Sequence, residues 1–400
     1  ALLTGCGNQR NTSVLLTSHA EFAAYAEIFN ASQDVYRIEP VYEKNPVRTM
    51  QTGTRYADLV IGEYLNSSAV LKSFTALDGL FKHDPTGKRG INPEFFYPKL
   101  LAAGKRGDDQ YLLPVSFNLP AFMFKNEAGS KAPESFYLSL ETIKQMSTDF
   151  NKRSKPGFTV MGFSPLWNTE VLYLKTLLFN TAYHELPDGS LAWNDDRLKD
   201  AIAYTRDWIA TVNGGPLYEE DFKDKYLYDP GYKLILNDRI MFYYTDLRSF
   251  FSIPADKREL LDFRWIARED QIPVAEDILF AGIPRQAHST KAAMAFLKWF
   301  FIPETQQKLL EYTQANMLRF FGIGDGFSSL AVVNETYFPR VYPALVGHIP
   351  PASFLKFPQS LPADWERIKA EVLKPWLLKA CSAENPGELN FAKELENYKK

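Results

Sequence analysis

Apolar and polar positions along the chain switch between two periodicities. Ser13-Val14-Leu15-Leu16-Thr17-Ser18 is a short apolar run of strand type, and it feeds Glu21 to Ala31, where Phe22, Tyr25, Ile28 and Phe29 recur at helical spacing. Val35 to Tyr42 alternates, and Tyr56-Ala57-Asp58-Leu59-Val60-Ile61-Gly62 is an apolar run closed by glycine, so both predict strands. A helical stretch from Ser67 to Phe74 separates that run from Leu77-Asp78-Gly79-Leu80, and Phe95 to Ala103 predicts a further helix. Alternation of this kind predicts an α/β domain with a largely parallel sheet.

Tyr111 to Phe124 is long, apolar and interrupted by Pro114 and Pro120, a pattern that suits a strand leaving one sheet and entering another. Beyond it the pattern is mostly helical: Ser139 to Phe150, Asn168 to Thr181, and Asp195 to Val212 with an aspartate-rich first turn that suits the helix dipole. Ile240 to Thr245, Phe263 to Ala267 and Ile278 to Ile283 read as strands, Thr290 to Phe301 and Pro303 to Gln314 as helices. Ala363 to Cys381 and Glu388 to Lys399 close the chain as charged amphipathic helices, whose solvated faces account for their charge.

Composition narrows the function classes. The 400 residues allow two to three domain-sized units, and 46% apolar with 23% charged residues excludes disorder for the bulk. A formal charge of -3 lacks the basic excess of nucleic-acid binders, so no nucleic-acid partner is expected. No window of 18 uncharged apolar residues is present to span a bilayer. Cys6 and Cys381 stand at opposite ends and the five histidines are scattered, which leaves no disulfide framework and no sequence-local metal motif. Gly87-Lys88 sits in a Pro- and Gly-rich charged stretch without phosphate-loop spacing and reads as a solvated turn. No G-x-S-x-G, H-E-x-x-H or Walker pattern occurs, so neither catalysis nor a cofactor is called for.

The opening Ala1-Leu2-Leu3-Thr4-Gly5-Cys6 has the form of the tail of a secretory signal. Leu3-Thr4-Gly5-Cys6 resembles a bacterial lipobox, in which the peptide is cut before the cysteine and the thiol carries lipid. Residues 1–10 then form signal remnant, lipobox and tether, and acyl chains on Cys6 anchor the body at about 0.8 kcal/mol per buried methylene.

In order along the chain, the motifs resemble those of the extracellular solute-binding proteins of bacterial ABC importers, family 1, the maltose-binding-protein-like branch. Leu15-Leu16-Thr17-Ser18 with its helix is similar to the family's first βα unit, Ala57-Asp58-Leu59-Val60-Ile61-Gly62-Glu63 to its Pro/Ala-Asp-Val-Val-x-Gly strand, and Tyr111-Leu112-Leu113-Pro114-Val115-Ser116 to its Tyr-Gly-Leu-Pro crossover. Glu141-Thr142-Ile143-Lys144-Gln145-Met146 resembles the Thr-Trp-Asp-Glu-Leu helix without its tryptophan. The fullest match runs from Gly282-Ile283-Pro284 through Lys291-Ala292-Ala293-Met294-Ala295-Phe296-Leu297-Lys298-Trp299-Phe300 to Pro303-Glu304-Thr305-Gln306-Gln307.

The resemblance implies a periplasmic-binding-protein type II fold, two α/β lobes joined by hinge crossover strands around a ligand cleft. Residues 11–115 and 268–320 would form one discontinuous lobe, and 116–267 with 321–400 and the C-terminal helices the other. It implies a monomer that captures a sugar or oligosaccharide by hinge closure and presents it to the membrane permease pair, behind which lie the ATPase subunits. The place of action is the cell envelope, on the periplasmic or extracytoplasmic face. A surface interaction lipoprotein on the same fold, an importer subunit for a non-sugar solute such as a polyamine, and a glycoside-acting enzyme are the alternatives. For a polyamine, several carboxylates around the cleft are expected, and for phosphate or sulfate esters Arg, Lys and helix N-termini; neither is visible as a sequence cluster.

Pockets of α/β sheets lie beyond the carboxyl ends of strands, and sugars need aromatic platforms with polar side chains. That rule selects Thr17, Ser18 and His19 after the first strand, Glu43 and Asn45 after the second, Glu63 and Tyr64 after the third, and Phe117 and Asn118 at the crossover. For Ser18, helix capping is an equal alternative. Trp167, just before a helix, stands where the family often places a stacking aromatic; a core or staple tryptophan is the other reading. Tyr244 and Asp246 end the strand similar to the family's Gly-Ser-Trp element, with Leu247 where tryptophan is usual, and Asp246 alternatively pairs with Arg248. Gly282, opening the Gly-Ile-Pro match, completes the candidate set.

Overall fold

The computed structural model describes residues 11–82, 90–126, 135–154, 157–384 and 389–398. Cys6 with the rest of residues 1–10, and the turn at Asp84 to Arg89, lie outside these. The chain begins with β1 (Thr12–Thr17), α1 (Glu21–Ala31), β2 (Arg37–Tyr42) and β3 (Leu59–Glu63), and reaches β4 (Leu113–Phe117) after short helical turns. Past Pro120 follow β5 (Ala121–Lys125), β6 (Tyr137–Ser139), α2 (Leu140–Phe150), α3 (Thr169–Leu178), α4 (Asp195–Thr211), β7 (Tyr243–Thr245), α5 (Leu247–Ser252) and β8 (Leu261–Ala267). The return leg holds β9 (Ile272–Pro273), β10 (Leu279–Gly282), α6 (Thr290–Phe300), α7 (Pro303–Ala315), β11 (Phe327–Ser328) and β12 (Leu355–Lys356). A helical run over 365–382, ending in α8 (Lys374–Ser382), and α9 (Phe391–Tyr398) complete it.

Two sheets organise two lobes. The first has six strands in the order β11-β4-β10-β3-β1-β2, the second four in the order β7-β5-β8-β6. The parallel expectation holds only for β1, β2 and β3; β10 runs antiparallel between β3 and β4 because it returns from the other lobe. Pro40 sits in β2, at the sheet edge, where a missing N–H costs no ladder bond. In the first lobe α1 turns Phe22, Tyr25, Ala26 and Phe29 inward, and α6 turns Ala292, Ala293, Phe296, Leu297 and Phe300 inward. Phe29 meets Phe296 edge-on at 5.4 Å and Trp299 at 5.3 Å, so the two helices share one aromatic seam. In the second lobe Trp376, Leu377, Ala380 and Cys381 of α8 pack in one cluster with Leu172 and Tyr173 of α3 and Leu198 and Ile209 of α4.

Three segments pass between the lobes. Asn118-Leu119-Pro120 joins β4 to β5, residues 268–278 join β8 to β10, and β12 pairs in parallel with β9 on the way to the C-terminal helices. The expected division at 320 is corrected by β11, which pairs Phe327 with Phe117 and Ser328 with Ser116 in the first sheet. Its reason is aromatic packing: Phe327 stacks on Phe117 at 5.7 Å and on Phe338 at 5.4 Å.

Several sequence expectations fall short locally. Leu77 to Leu80 holds a 3-10 turn, Asp78–Leu80, and not a strand, and Phe95 to Ala103 breaks into Pro93–Phe95 and Pro98–Ala102 because proline restarts the helix. The Ile240 to Thr245 run contributes only Tyr243–Thr245 to the sheet. Among the described residues no helix is long and apolar enough to cross a membrane.

Candidate functional site

A cavity of about 460 Å³ lies between the lobes. Its walls come from strand ends, as the geometry of α/β sheets requires. Glu63 ends β3, Asn118 to Pro120 is the first crossing, and Asp246 follows β7 directly. The second crossing supplies Pro273, Ala275, Glu276 and Asp277; the second lobe adds Tyr173, Tyr244, Arg248 and Glu170, and the helical run over 365–382 adds Glu366 and Lys369.

Local chemistry fixes these side chains. Asn168 caps α3 by accepting from Glu170 N at 2.8 Å, which seats Glu170 in the first turn at the positive end of the helix dipole. Asp246 caps α5, accepting from Ser249 N at 2.7 Å, and does not pair with Arg248. Arg248 instead reaches Asp277 Oδ2 at 3.3 Å and lies 3.1 Å from Asp325 Oδ2. Glu366 and Lys369 are one turn apart on a helix, so they share a face. Lys369 Nζ donates to Glu276 Oε1 at 2.6 Å and pairs with Glu366 Oε2 at 2.9 Å, and Lys374 pairs with Glu170.

The lobes are drawn together over this cavity. Ser68 presents its N and Oγ to Glu185 at 2.7 and 2.8 Å, Ser360 Oγ donates to Asn66 O at 2.9 Å, and the Tyr64 hydroxyl donates to Glu366 Oε2 at 3.0 Å. Tyr64 holds φ of 56°, a left-handed conformation that a bulky residue adopts at a cost of about 1–3 kcal/mol. This residue ends the third βα turn against the opposite lobe.

Two titratable groups are displaced. Burial pushes the Asp277 carboxyl up, and the charge of Glu63 adds to it against the opposing pull of Arg248, so it titrates at about 6. His19 is mostly buried, which alone would lower it; hydrogen bonds to Glu21 and Glu63 and their charges overcome that burial and raise it to about 10. A raised imidazole contributes its stability in full below pH 6.5 and loses it as pH rises through about 10. His19→Gln should therefore lose about 1–3 kcal/mol near pH 6 and almost nothing near pH 10, read from urea midpoints. Equal losses at both pH values would show that the imidazolium is not what Glu21 and Glu63 hold.

Of the residues selected from the sequence, Glu63, Asn118, Tyr244 and Asp246 line the cavity. His19 stands behind Glu63 at 3.5 Å and Tyr64 is engaged with Glu366. Phe117 is corrected to a core position: it is 1% exposed and packed by Tyr97, Phe327 and Phe357. Gly282 is likewise core, since a Cβ there would come within 2.5 Å of Leu112 and 2.6 Å of Phe74. Trp167 stacks on Phe222 at 5.3 Å, which takes one face of its ring, donates Nε1 to Glu219 O at 3.4 Å, and does not line the cavity. Glu43 pairs with Arg55 at 2.6 Å away from the cavity. Ser18 makes no capping bond to α1, and it does not line the cavity.

Glu170, Arg248, Glu276, Asp277, Glu366 and Lys369 were not selected from the sequence. Asn168-Thr169-Glu170 carries a readable helix start that places an acid beside the cleft. The others belong to the hinge, α5 and the C-terminal run, where only the fold brings them to the cavity.

No protein-family model and no curated protein sequence matches this chain. Solved structures match it over almost its whole length. The sugar-binding protein MalE of Xanthomonas citri superposes with a TM-score of 0.67 at 11% identity, covering 96% of this chain and 95% of that one. An ABC substrate-binding protein of Listeria monocytogenes in complex with cycloalternan gives 0.62 at 13% identity, covering 96% of each chain. The cyclic alpha-maltosyl-1,6-maltose binding protein of Arthrobacter globiformis gives 0.61 at 16% identity, again covering 96% of each. With its two sheets, its crossings and the cavity between them, this chain has the two-lobed α/β periplasmic-binding-protein fold that these structures share.

Proposed function

We propose that the chain is the lipid-anchored substrate-binding subunit of an ABC importer, tethered through Cys6 at the extracytoplasmic face of the envelope. It captures a sugar or oligosaccharide, or in the alternative reading a non-sugar solute, between its lobes and presents it, as a monomer, to a permease pair that touches both lobes. It performs no chemistry. The observation that carries this reading is the cavity of about 460 Å³ at the hinge, walled by polar groups from both lobes and closed by hydrogen bonds across it. A solute that touches both walls has contacts in the closed form that the open form lacks, and that difference is the free energy available for closure. The sugar-binding neighbours in the same fold support the solute class.

Thermal unfolding of the soluble chain from Asn8, refolded to strip carried-over solute, tests this against mono- and oligosaccharides, polyamines and phosphate esters. A ligand at about 100 times its dissociation constant should add about 2.7 kcal/mol of stability. A shift with one class and no product formed is the expected result. Turnover of a panel member would replace this reading by an enzyme, and no shift with any member would favour an interaction lipoprotein.

A further inference from the structure

The charges around the cavity do not balance. Arg248 faces Asp277 and Asp325, Lys369 faces Glu276 and Glu366, and His19 faces Glu21 and Glu63. Lys374 pairs with Glu170 and acts on Glu366 through its charge, and Asp246 accepts a backbone N–H and shares the charge of Arg248. Each cation is thus shared between two or more carboxylates, and the surplus is negative. Glu63, Glu170, Asp246, Glu276, Asp277 and Glu366 all line the cavity, against Arg248 and Lys369.

Asp277 stands in the middle of these charges. Its side chain lines the cavity and is 32% exposed, Oδ2 meets Arg248 and, at 3.5 Å, Asn118 Nδ2, and Oδ1, closed off from solvent, acts on a solute by its charge and not by a direct hydrogen bond. Glu276, with a side chain 6% exposed, is held in the same wall.

The lining is also poor in sugar platforms. None of the seven tryptophans lines the cavity; its aromatic rings are Tyr173 and Tyr244, which attract cations as well as sugar faces. Among the described residues no three acidic, imidazole or thiol side chains converge to hold a metal ion. The carboxylates are spread around the space, so the positive charge that suits them is carried on an organic frame.

Resting on the importer reading, we infer that the solute is an organic cation bearing at least one protonated amine, a polyamine or an amino sugar, whose ammonium group is taken by Asp277 and its neighbouring carboxylates. Charge-assisted N–H···O bonds to carboxylates are the strong kind, and a charged group entering the closed cleft satisfies acceptors that a neutral hydroxyl fills less well.

The test is isothermal titration of the refolded chain with spermidine, glucosamine and maltotriose, at low salt and at about 0.5 M salt. Binding of spermidine or glucosamine, weakened by salt, with maltotriose weaker by at least tenfold, is the expected result, and which amine binds separates polyamine from amino sugar. Asp277→Asn should weaken the amine by about tenfold or more, equivalent to about 1.4 kcal/mol. Glu63→Gln, at a half-exposed position, gives the same direction should Asp277→Asn fail to fold. Binding of maltotriose alone would overturn the amine while the importer reading stood. Amine binding unchanged in both variants would place the amine elsewhere and overturn the assignment. No binding of any of the three probes would overturn this inference, and the importer reading would fall with it only where the wider panel of the thermal test also gives no shift.

Discussion

Lys369→Met should destabilise the chain by about 3–5 kcal/mol, the cost of leaving a buried carboxylate without its cation. Lys369 Nζ sits 2.6 Å from Glu276 Oε1 and its side chain is 10% exposed, against 6% for Glu276. Burial on its own would lower the Lys369 pKa, but the charges of Glu276 and Glu366 and their hydrogen bonds raise it above its ordinary value. The ammonium therefore stays charged across the neutral range, and the variant's loss should be flat from about pH 6 to 9. Trp365 Nε1, 3.3 Å from the same Glu276 oxygen, is too weak a donor to take over. The double variant Lys369→Met with Glu276→Leu removes both charges and should recover most of the loss, because an apolar pair of similar volume has no desolvation to offset. Urea unfolding followed by tryptophan fluorescence reads both. A single-variant loss under about 1 kcal/mol would mean that solvent reaches Glu276 and that the pair is not a closed one.

The same pair shows where sequence reading stops. Glu276 and Lys369 are 93 positions apart, one in the second crossing and one in the C-terminal helical run, and nothing local to either marks the other. What the pattern does carry is local order. The Tyr111 to Phe124 stretch reads as a crossing because Pro114 and Pro120 break an otherwise continuous apolar run, and the chain there does leave one sheet for the other. Strand ends are legible where an apolar run closes, and Glu63 and Asn118 follow from them, while Tyr244 and Asp246 follow from the strand that resembles the family's Gly-Ser-Trp element. Phe117 was misplaced by that rule because β4 has neighbours on both sides and packing on both faces, so all of its side chains are buried and none is free to face a ligand. Gly282 was misplaced by its motif: it is small because Leu112 and Phe74 occupy the space of a side chain, a packing reason that a one-dimensional match does not contain. Trp167 has two readings from sequence, and its packing against Phe222 with its place outside the cavity lining favours the core one. Glu276 and Asp277 of the hinge and Glu366 and Lys369 of the C-terminal run reach the cavity by tertiary placement and not by any motif.

Lys175→Met should have the opposite sign to Lys369→Met, and the comparison separates a buried lysine with partners from one without. Lys175 is 1% exposed in α3, and its Nζ has no hydrogen-bond partner. Its nearest compensation is the face of Trp208, 4.2 Å from Nζ, with Tyr204 at 5.6 Å. Burial drives its pKa down from 10.5 to about 7. Between those values the unfolded chain binds more protons at this site than the folded one, so this residue's contribution to stability rises with pH. Below pH 7 the penalty of the buried ammonium is fully present. Methionine keeps the unbranched stem and the volume without the charge, so the variant should gain about 1–4 kcal/mol near pH 6. The gain should shrink as pH approaches 10.5, where the wild-type amine is neutral in both states. The difference between variant and wild type is the quantity to follow, because His19 changes wild-type stability in the contrary direction over part of the same range and cancels in the difference. A variant less stable than wild type at pH 6 would show that Trp208 or a buried water satisfies the ammonium, and a gain that does not fall with pH would show that packing, not charge, is what methionine improves.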